Sequence, residues 1–347
     1  MVKNFKAQRM RILHAPFNIA GQASIISRAQ RKLGHQSDVM ILNENNYKYE
    51  FDINLNINSL SKISKIGRYS SNFFYCITHY DLFHFHFGNS LLPKNIDLRI
   101  LKLLNKKIVM HYWGSDVLQT DIALNYTLFD KNLLKKIYPK LNNKKRRQKI
   151  KTIESIADAT IVGDFSLLPY SPKSHVVRQA ISLEKIPRSS ADFTSDNTVI
   201  VHAPTNRDIK GTSIIISAIK KLQQKYKIQL VLVENKSNAE ALKIYQSANI
   251  VVNDILQGPY GILAIECMAL GKPVLSRIDK KLSQYYDDSP IVNSSPETIL
   301  RDLEKLILNP ELQKKLGSLG RTFIEKNHDS NKIALDIEKI YKKIGAV

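Results

Sequence analysis

Regular patterning begins at Arg11. Apolar positions run through Arg11-Ile-Leu-His-Ala-Pro16, and a polar loop carrying Gly21 follows. From Ser24 to Leu33 apolar residues recur at helical spacing, Gly34-His35 stops the run, and Asp38-Val-Met-Ile-Leu42 resumes a strand. A strand, loop, helix, strand order with near-continuous apolar strands predicts a parallel sheet buried on both faces. Further strands are predicted at Leu82–Phe87, Lys107–His111, Ala159–Val162 and His175–Arg178, with helices over Asp97–Leu104 and much of Lys131–Ile156. The pattern then restarts. Thr198-Val-Ile-Val-His-Ala-Pro204 repeats the His-Ala-Pro ending and again leads into a helix, Thr212–Lys225. Strands follow at Gln229–Val233, Ile250–Val252 and Pro273–Ser276, and a last helix spans Asn331–Ile344. Two such series predict an α/β protein with two Rossmann-like, doubly wound parallel sheets. The domains expected are 1–187 and 198–330, joined by the polar stretch Pro187–Asn197 and closed by a helix at 331–347. Ligands of open α/β sheets bind outside the carboxyl ends of the strands, so a cleft between the two domains is the expected site.

Composition narrows the class. With 347 residues, 43% apolar and 24% charged, the chain is long enough for two packed cores. Cys76 and Cys267 form no CxxC pair, which argues against a disulfide framework or a zinc site. No apolar run reaches the roughly 18 residues of a membrane span, and the basic Met1–Arg11 is not followed by a secretory h-region. A soluble cytosolic protein is expected. Charge adds a direction. Up to Ser190 there are 30 basic and 13 acidic residues, a balance of +17; after it there are 22 and 18, a balance of +4. A cationic half calls for an anionic partner, nucleic acid or an acidic membrane surface. No nucleic-acid motif is present and the aromatics fall in predicted strands, so no nucleic-acid partner is expected. Lys131–Lys151 holds ten basic residues in 21 and no acid. It reads either as a solvated helical face interrupted at Pro139 or as a membrane-facing patch centred on Lys144, Lys145, Arg146 and Arg147.

Candidate chemistry concentrates in a few segments. Gly258-Pro-Tyr-Gly-Ile-Leu-Ala-Ile-Glu-Cys-Met-Ala-Leu-Gly-Lys-Pro-Val-Leu275 places one acid, Glu266, on an otherwise apolar helix. A buried carboxylate needs a hydrogen-bonding partner such as a pair of sugar hydroxyls. Backbone N–H groups at the helix start, around Gly258, Tyr260, Gly261 and Ile262, suit a phosphate. Arg207 and Lys210 in one loop suit a diphosphate, or are simply two solvated cations. His111 ends a predicted strand. His84 and His86 share one strand face and could ligate a metal, but with no third ligand at metal-site spacing they read as a satisfied structural pair. There is no GxGxxG after the first strand, no P-loop and no GxSxG elbow.

The Gly258–Leu275 segment resembles the donor-site motif of the retaining glycosyltransferases of family 4, which have the GT-B fold. Glu266 matches the second of two motif glutamates, a ribose contact in that family; the first falls on Gly258, where Gln257 or the backbone N–H groups within Pro259–Ile262, those of Tyr260, Gly261 and Ile262, would substitute. His202-Ala-Pro-Thr-Asn-Arg-Asp-Ile-Lys-Gly211 resembles the Arg…Lys-Gly phosphate clamp, with Lys210 and Arg207 in the two roles. Val109-Met-His-Tyr-Trp-Gly-Ser-Asp116 resembles the segment whose histidine, here His111, lies by the transferred sugar. Gly21 takes the place of a Gly-rich turn near the donor phosphate. The resemblance implies transfer of a hexosyl unit, with retention, from a nucleotide-sugar, UDP-linked, to a cell-surface glycan or lipid-linked acceptor. It implies His111 and Lys210 as catalytic residues and Gly21, Arg207, Lys210, Gly258, Tyr260, Gly261, Ile262 and Glu266 as donor-binding ones. No metal or other cofactor is expected, and the last helix is expected to return to the first domain. Joined to the charge pattern, this gives a cytoplasmic protein held peripherally at the inner face of a bacterial membrane. The alternative is a catalytically silent GT-B partner of another transferase, because the first motif glutamate is missing.

Overall fold

A computed structural model describes residues 9–188 and 197–346. Most of the expected linker at Pro187–Asn197 and of the basic Met1–Arg11 stretch lies outside the described residues. Over those described, the chain forms two units. One comprises Met1–Leu118, Asn142–Ala180 and Ser330–Val347; the other comprises Gln119–Leu141 and Ile181–Asp329.

In the first unit, β1 (Arg11–Ala15), β2 (Gln36–Ile41), β3 (Ile53–Asn54), β4 (Leu82–His86), β5 (Lys107–Tyr112), β6 (Ala159–Val162) and β7 (His175–Val176) make one sheet in the order β3-β2-β1-β4-β5-β6-β7. Every pairing is parallel. The chain runs outward from β1 to β3, then starts again beside β1 with β4, so the strand order reverses between β1 and β4. Strand alternation turns Ile12, Leu82, Val109, Ala159 and Ile161 to one face, where they pack with Ile26, Ile333, Ile337 and Ile340. Those partners come from the helices Gln22–Lys32 and Ser330–Lys343, which also pack on one another. The same period of two puts His14, His84, His86 and His111 on that face toward the carboxyl edge, in two successive rows: His14 and His84 in register with Val109, and His86 and His111 in register with Ile161.

In the second unit, β8 (Thr198–His202), β9 (Ile228–Leu232), β10 (Ile250–Val252), β11 (Val274–Ser276) and β12 (Val292–Asn293) form a parallel sheet in the order β12-β11-β10-β8-β9. Its core includes Ile200, Ile215, Ile219, Ile250, Val252, Leu275 and Leu303. The two-residue strands β3 and β12 were not predicted, since two residues carry no measurable periodicity.

The expected domain boundary at residue 187 is corrected at two places. Gln119–Leu141 belongs to the second unit because backbone and side-chain bonds tie it there: Leu128 N donates to Leu256 O at 2.8 Å, and Lys136 pairs with Asp208 at 2.6 Å. The crossing to the second unit also begins earlier, at Ile181, whose N–H donates to His328 O at 2.8 Å.

Ile337 is 0% exposed in the first unit's core. Ile337→Ala is expected to lower stability by about 2–5 kcal/mol, through lost burial plus a residual cavity. Urea unfolding midpoints at constant m-value would measure it.

Candidate functional site

The second sheet reverses its strand order between β8 and β10, and the cationic candidates sit just beyond those strand ends. Arg207–Lys210 is a single helical turn capped by Asn206, whose Oδ1 accepts from Ile209 N at 3.1 Å. Lys210 Nζ pairs at 3.0 Å with Oδ2 of Asp254, a side chain 1% exposed, and Asp254 Oδ1 accepts from Gln257 N at 3.0 Å. Arg207 instead points outward, gripped through Nε and Nη2 by Glu234. Lys210 is thus held at the sheet edge by a buried carboxylate, while Arg207 sits in an exposed pair of small energetic weight. Sequence reasoning passed over Asp254 and Glu234. The available signal was their position just after a strand's carboxyl end.

Glu266 lies in the helix Ile262–Ala269, whose N-cap, Gly261, provides no side-chain cap. Glu266 is buried, and burial raises its pKa to about 7 against the opposing hydrogen bond from Asn238 Nδ2, which donates to Oε1 at 2.7 Å. The partner the sequence called for is therefore supplied within the protein. Asn238 opens a helix whose capping box, Ser237 with Glu240, fixes its direction.

Gly258 is explained by close approach. A Cβ there would lie 2.6 Å from the Tyr126 carbonyl oxygen and 3.0 Å from Asp279 Cβ. The position where the resembled family carries its first glutamate is closed by the backbone of the 119–141 segment. Arg277 reinforces the closure by donating to both Tyr126 O (3.2 Å) and Gln257 O (2.8 Å). The Tyr260 side chain is buried edge-on among Tyr286, Phe323 and His328, with its hydroxyl 3.0 Å from His328 Nε2, so that only its backbone bears on the expected phosphate contact. Gly261 and Ile262 remain partly exposed at the helix start.

In the first unit the expected strand end at His111 moves one residue on. β5 continues through Tyr112, and alternation turns His111 into the sheet face, where it is 0% exposed. Its ring stacks on Trp113 at 3.9 Å and its Nδ1 lies 3.2 Å from His84 Nε2. The third imidazole that the sequence reading lacked is His14, brought in by β1–β4 pairing; ring nitrogens of His14, His84 and His86 lie within 4.8 Å of one another. Each of the three already engages both ring nitrogens in hydrogen bonds, which any metal would have to displace. Burial drives the pKa of His14 down to about 4 and those of His84, His86 and His111 well below the ordinary value, so all four rings are neutral.

Gly21 adopts φ +72° as the cap of the Gln22–Lys32 helix, and a Cβ would lie 2.8 Å from the Tyr49 ring. It is buried rather than open to a ligand. The basic segment is divided. Lys131–Ile137 belongs to the second unit, whereas Lys144, Lys145 and Arg147 are exposed on the helix Asn143–Glu154 of the first. Arg146 is corrected as a surface cation, because its guanidinium turns inward to donate to the Asp116 carbonyl. With the boundaries observed, the first unit holds 28 basic and 12 acidic residues (+16) and the second 24 and 19 (+5).

No family model matches the chain. It is 24% identical over 159 residues to an uncharacterized glycosyltransferase of Methanocaldococcus jannaschii, a match over 39% of this chain and 45%, under half, of that relative. Sucrose-phosphate synthase from Thermosynechococcus elongatus superposes with a TM-score of 0.69 over 96% of this chain and 98% of its own, at 16% identity. Anabaena HepE in complex with UDP-glucose gives 0.64 over 98% and 100% at 12% identity. WaaG, a glycosyltransferase involved in lipopolysaccharide biosynthesis, gives 0.58 over 95% and 99% at 10% identity. The fold is GT-B.

The buried Glu266 gives this GT-B chain a pH-dependent stability. Its folded pKa, about 7, stands above the ordinary 4.5, so the fold favours the neutral carboxyl. That contribution is complete below pH 4.5 and is lost as pH rises through about 7. Glu266→Gln keeps the bond from Asn238 and removes the titration. It should be more stable than wild type by up to about 3 kcal/mol at pH 8, with the gap narrowing toward pH 5. Urea unfolding at the two pH values would test this.

Proposed function

We propose that the chain is a glycosyltransferase, moving a hexosyl unit with retention from a UDP-linked sugar to a glycan or lipid-linked acceptor. The observation that carries this reading is Lys210, seated on buried Asp254 at the carboxyl edge of a Rossmann-like sheet. That is a ready cation for a diphosphate, which would take over from Asp254 as counter-ion and be stabilised as it leaves. The uncapped helix start at Gly261 supplies further N–H donors, and Glu266 accepts from ribose hydroxyls. The family resemblance assigns His111 to the transferred sugar, and its buried Nε2, which has no hydrogen-bond partner, is the atom left for that contact. These groups neutralise the diphosphate without a metal, so no resident cofactor is invoked. HepE, which shares the fold, was crystallised with UDP-glucose.

Lys210→Ala is expected to weaken UDP binding at least tenfold and abolish turnover. Glu266→Gln should chiefly weaken donor binding, and His111→Ala should lower turnover with near-normal nucleotide affinity. Calorimetry with UDP and a donor-hydrolysis assay separate these effects; no UDP binding to the wild type would overturn the reading. The closed position at Gly258 favours a second reading, a catalytically silent GT-B partner of another transferase. Nucleotide binding without donor hydrolysis or transfer would support it.

We further place the protein peripherally at the inner, anionic face of a bacterial cell membrane, acting through its first unit. No helix among the described residues is long and apolar enough to cross a membrane. Support comes from the +16 balance of that unit and from its exposed apolar side chains Ile63, Ile66, Phe74 and Leu103, with Lys62, Lys65 and Arg68 interleaved. At about 1 kcal/mol per cation, Gln replacements at Lys144, Lys145 and Arg147 should weaken binding to acidic vesicles on the order of a hundredfold at low salt. Sedimentation showing equal binding to neutral and acidic vesicles would refute the placement.

A further inference from the structure

The histidine cluster of the first sheet is part of one continuous hydrogen-bonded chain, and its direction can be deduced. Trp113 Nε1 lies 3.1 Å from His86 Nδ1. An indole N–H can only donate, so His86 Nδ1 is an acceptor and the proton of that neutral ring sits on Nε2. His86 Nε2 lies 2.9 Å from His14 Nδ1, which therefore accepts, leaving the His14 proton on Nε2, 2.8 Å from Gln30 Oε1. Gln30 Oε1 also accepts from Ser37 Oγ at 2.8 Å, and Gln30 Nε2 donates to the Tyr341 hydroxyl at 3.2 Å. The Tyr341 hydroxyl then donates to His84 Nδ1 at 2.5 Å, and His84 Nε2–H donates to His111 Nδ1 at 3.2 Å. The chain ends at His111 Nε2, a buried atom with no hydrogen-bond partner.

We propose that Trp113, Gln30 and Tyr341 are positioning residues that fix His111 as an Nε2–H donor, so that its ligand group is an oxygen acceptor and the ring is not a resting general base. This rests on the reading of His111 as lying by the transferred sugar. All four histidines take the Nε2–H form. Reversing the half nearest Trp113 would require Gln30 to turn its amide and would set an imidazole N–H against the indole N–H across 3.1 Å, and reversing His84 and His111 alone would leave the buried Tyr341 O–H with no acceptor. Trp113 alone in the chain has no accepting form, so it sets the direction as far as Gln30, and the Tyr341 proton carries it on to His84. Its own place is fixed by Gly163, where a Cβ would lie 2.6 Å from the Trp113 ring. Tyr341 stands on the last helix, 230 positions beyond His111, and makes that helix part of the site.

Nitrogen-15 chemical shifts of the imidazoles in the full-length protein at pH 7 report the tautomers directly. The single tryptophan gives one indole N–H resonance for the first link. Four Nε2–H forms are expected; an Nδ1–H form at any of the four overturns the proposal. Trp113→Phe removes the direction-setting donor and should leave His111 in a mixture of tautomers, with kcat reduced about tenfold and UDP affinity within twofold. Tyr341→Phe should cut the chain in the middle, releasing His84 and His111 while His86 and His14 keep their protons on Nε2. If kcat falls in Trp113→Phe while His111 stays wholly Nε2–H, Trp113 acts by packing and the proposal fails. If the tautomer changes and turnover does not, the chain stands as described. The placement of His111 at the sugar then falls instead.

Discussion

Four imidazoles on one buried face of a parallel sheet are tolerable only if each ring is neutral and its nitrogens find partners of opposite kind. Everything near the carboxyl edge of the first sheet follows from that requirement. It explains a glutamine on the buried side of the Gln22–Lys32 helix, where an apolar residue would pack as well but could not both accept and donate. It explains a tyrosine rather than another isoleucine at position 341, on a helix otherwise facing the core with Ile333, Ile337 and Ile340. The apolar side chains of the same face, Ile12, Leu82 and Val109, anchor the same strands by burial, at roughly 1.5–3 kcal/mol per side chain. The imidazoles among them make the arrangement unique, since only one direction of hydrogen bonding gives every proton in their network an acceptor up to its end at His111.

The second sheet uses the equivalent strand position differently. His202, at the end of β8 as His14 is near the end of β1, donates through Nδ1 to the Val252 carbonyl and accepts at Nε2 from Thr212 Oγ1. It is therefore in the Nδ1–H form, closed within two local bonds, and passes nothing on. The repeated His-Ala-Pro is a structural device in both halves, but only the first half joins it to an extended network. At the corresponding edge of the second sheet, charge does the organising: Lys210 is held by Asp254, and Arg277 by Asp279 and two carbonyls. The segment 119–141, contributed from between β5 and β6, closes over Gly258 and removes space for any side chain there.

Much of the fold was legible in the residues because parallel strands buried on both faces read as continuous apolar runs. The restart at Thr198 was equally plain. Short edge strands such as Ile53–Asn54 were not legible, because two residues define no period. Of the candidate site, Lys210 and Glu266 were visible because their types and neighbours are unusual: two cations in one loop, and one acid on an apolar helix. Asn238 and Asp254 were invisible, because an Asn at a helix start and an Asp after a strand are commonplace until something is packed against them.

The sequence by itself determined the two sheets, the helical faces and the spacing that puts His84 and His86 on one side. It could not determine that His14 and His111 join them. Register between strands 72 or 27 positions apart is set by the pairing of whole strands, not by any local preference. Nor could it reveal that Gly258 is shut by a carbonyl 132 positions earlier, or that Arg146 faces inward while its neighbours Lys145 and Arg147 face out. Local propensity acts over a few residues, whereas burial and hydrogen-bond direction depend on which distant groups share a volume. Those were decided only when the chain closed on itself.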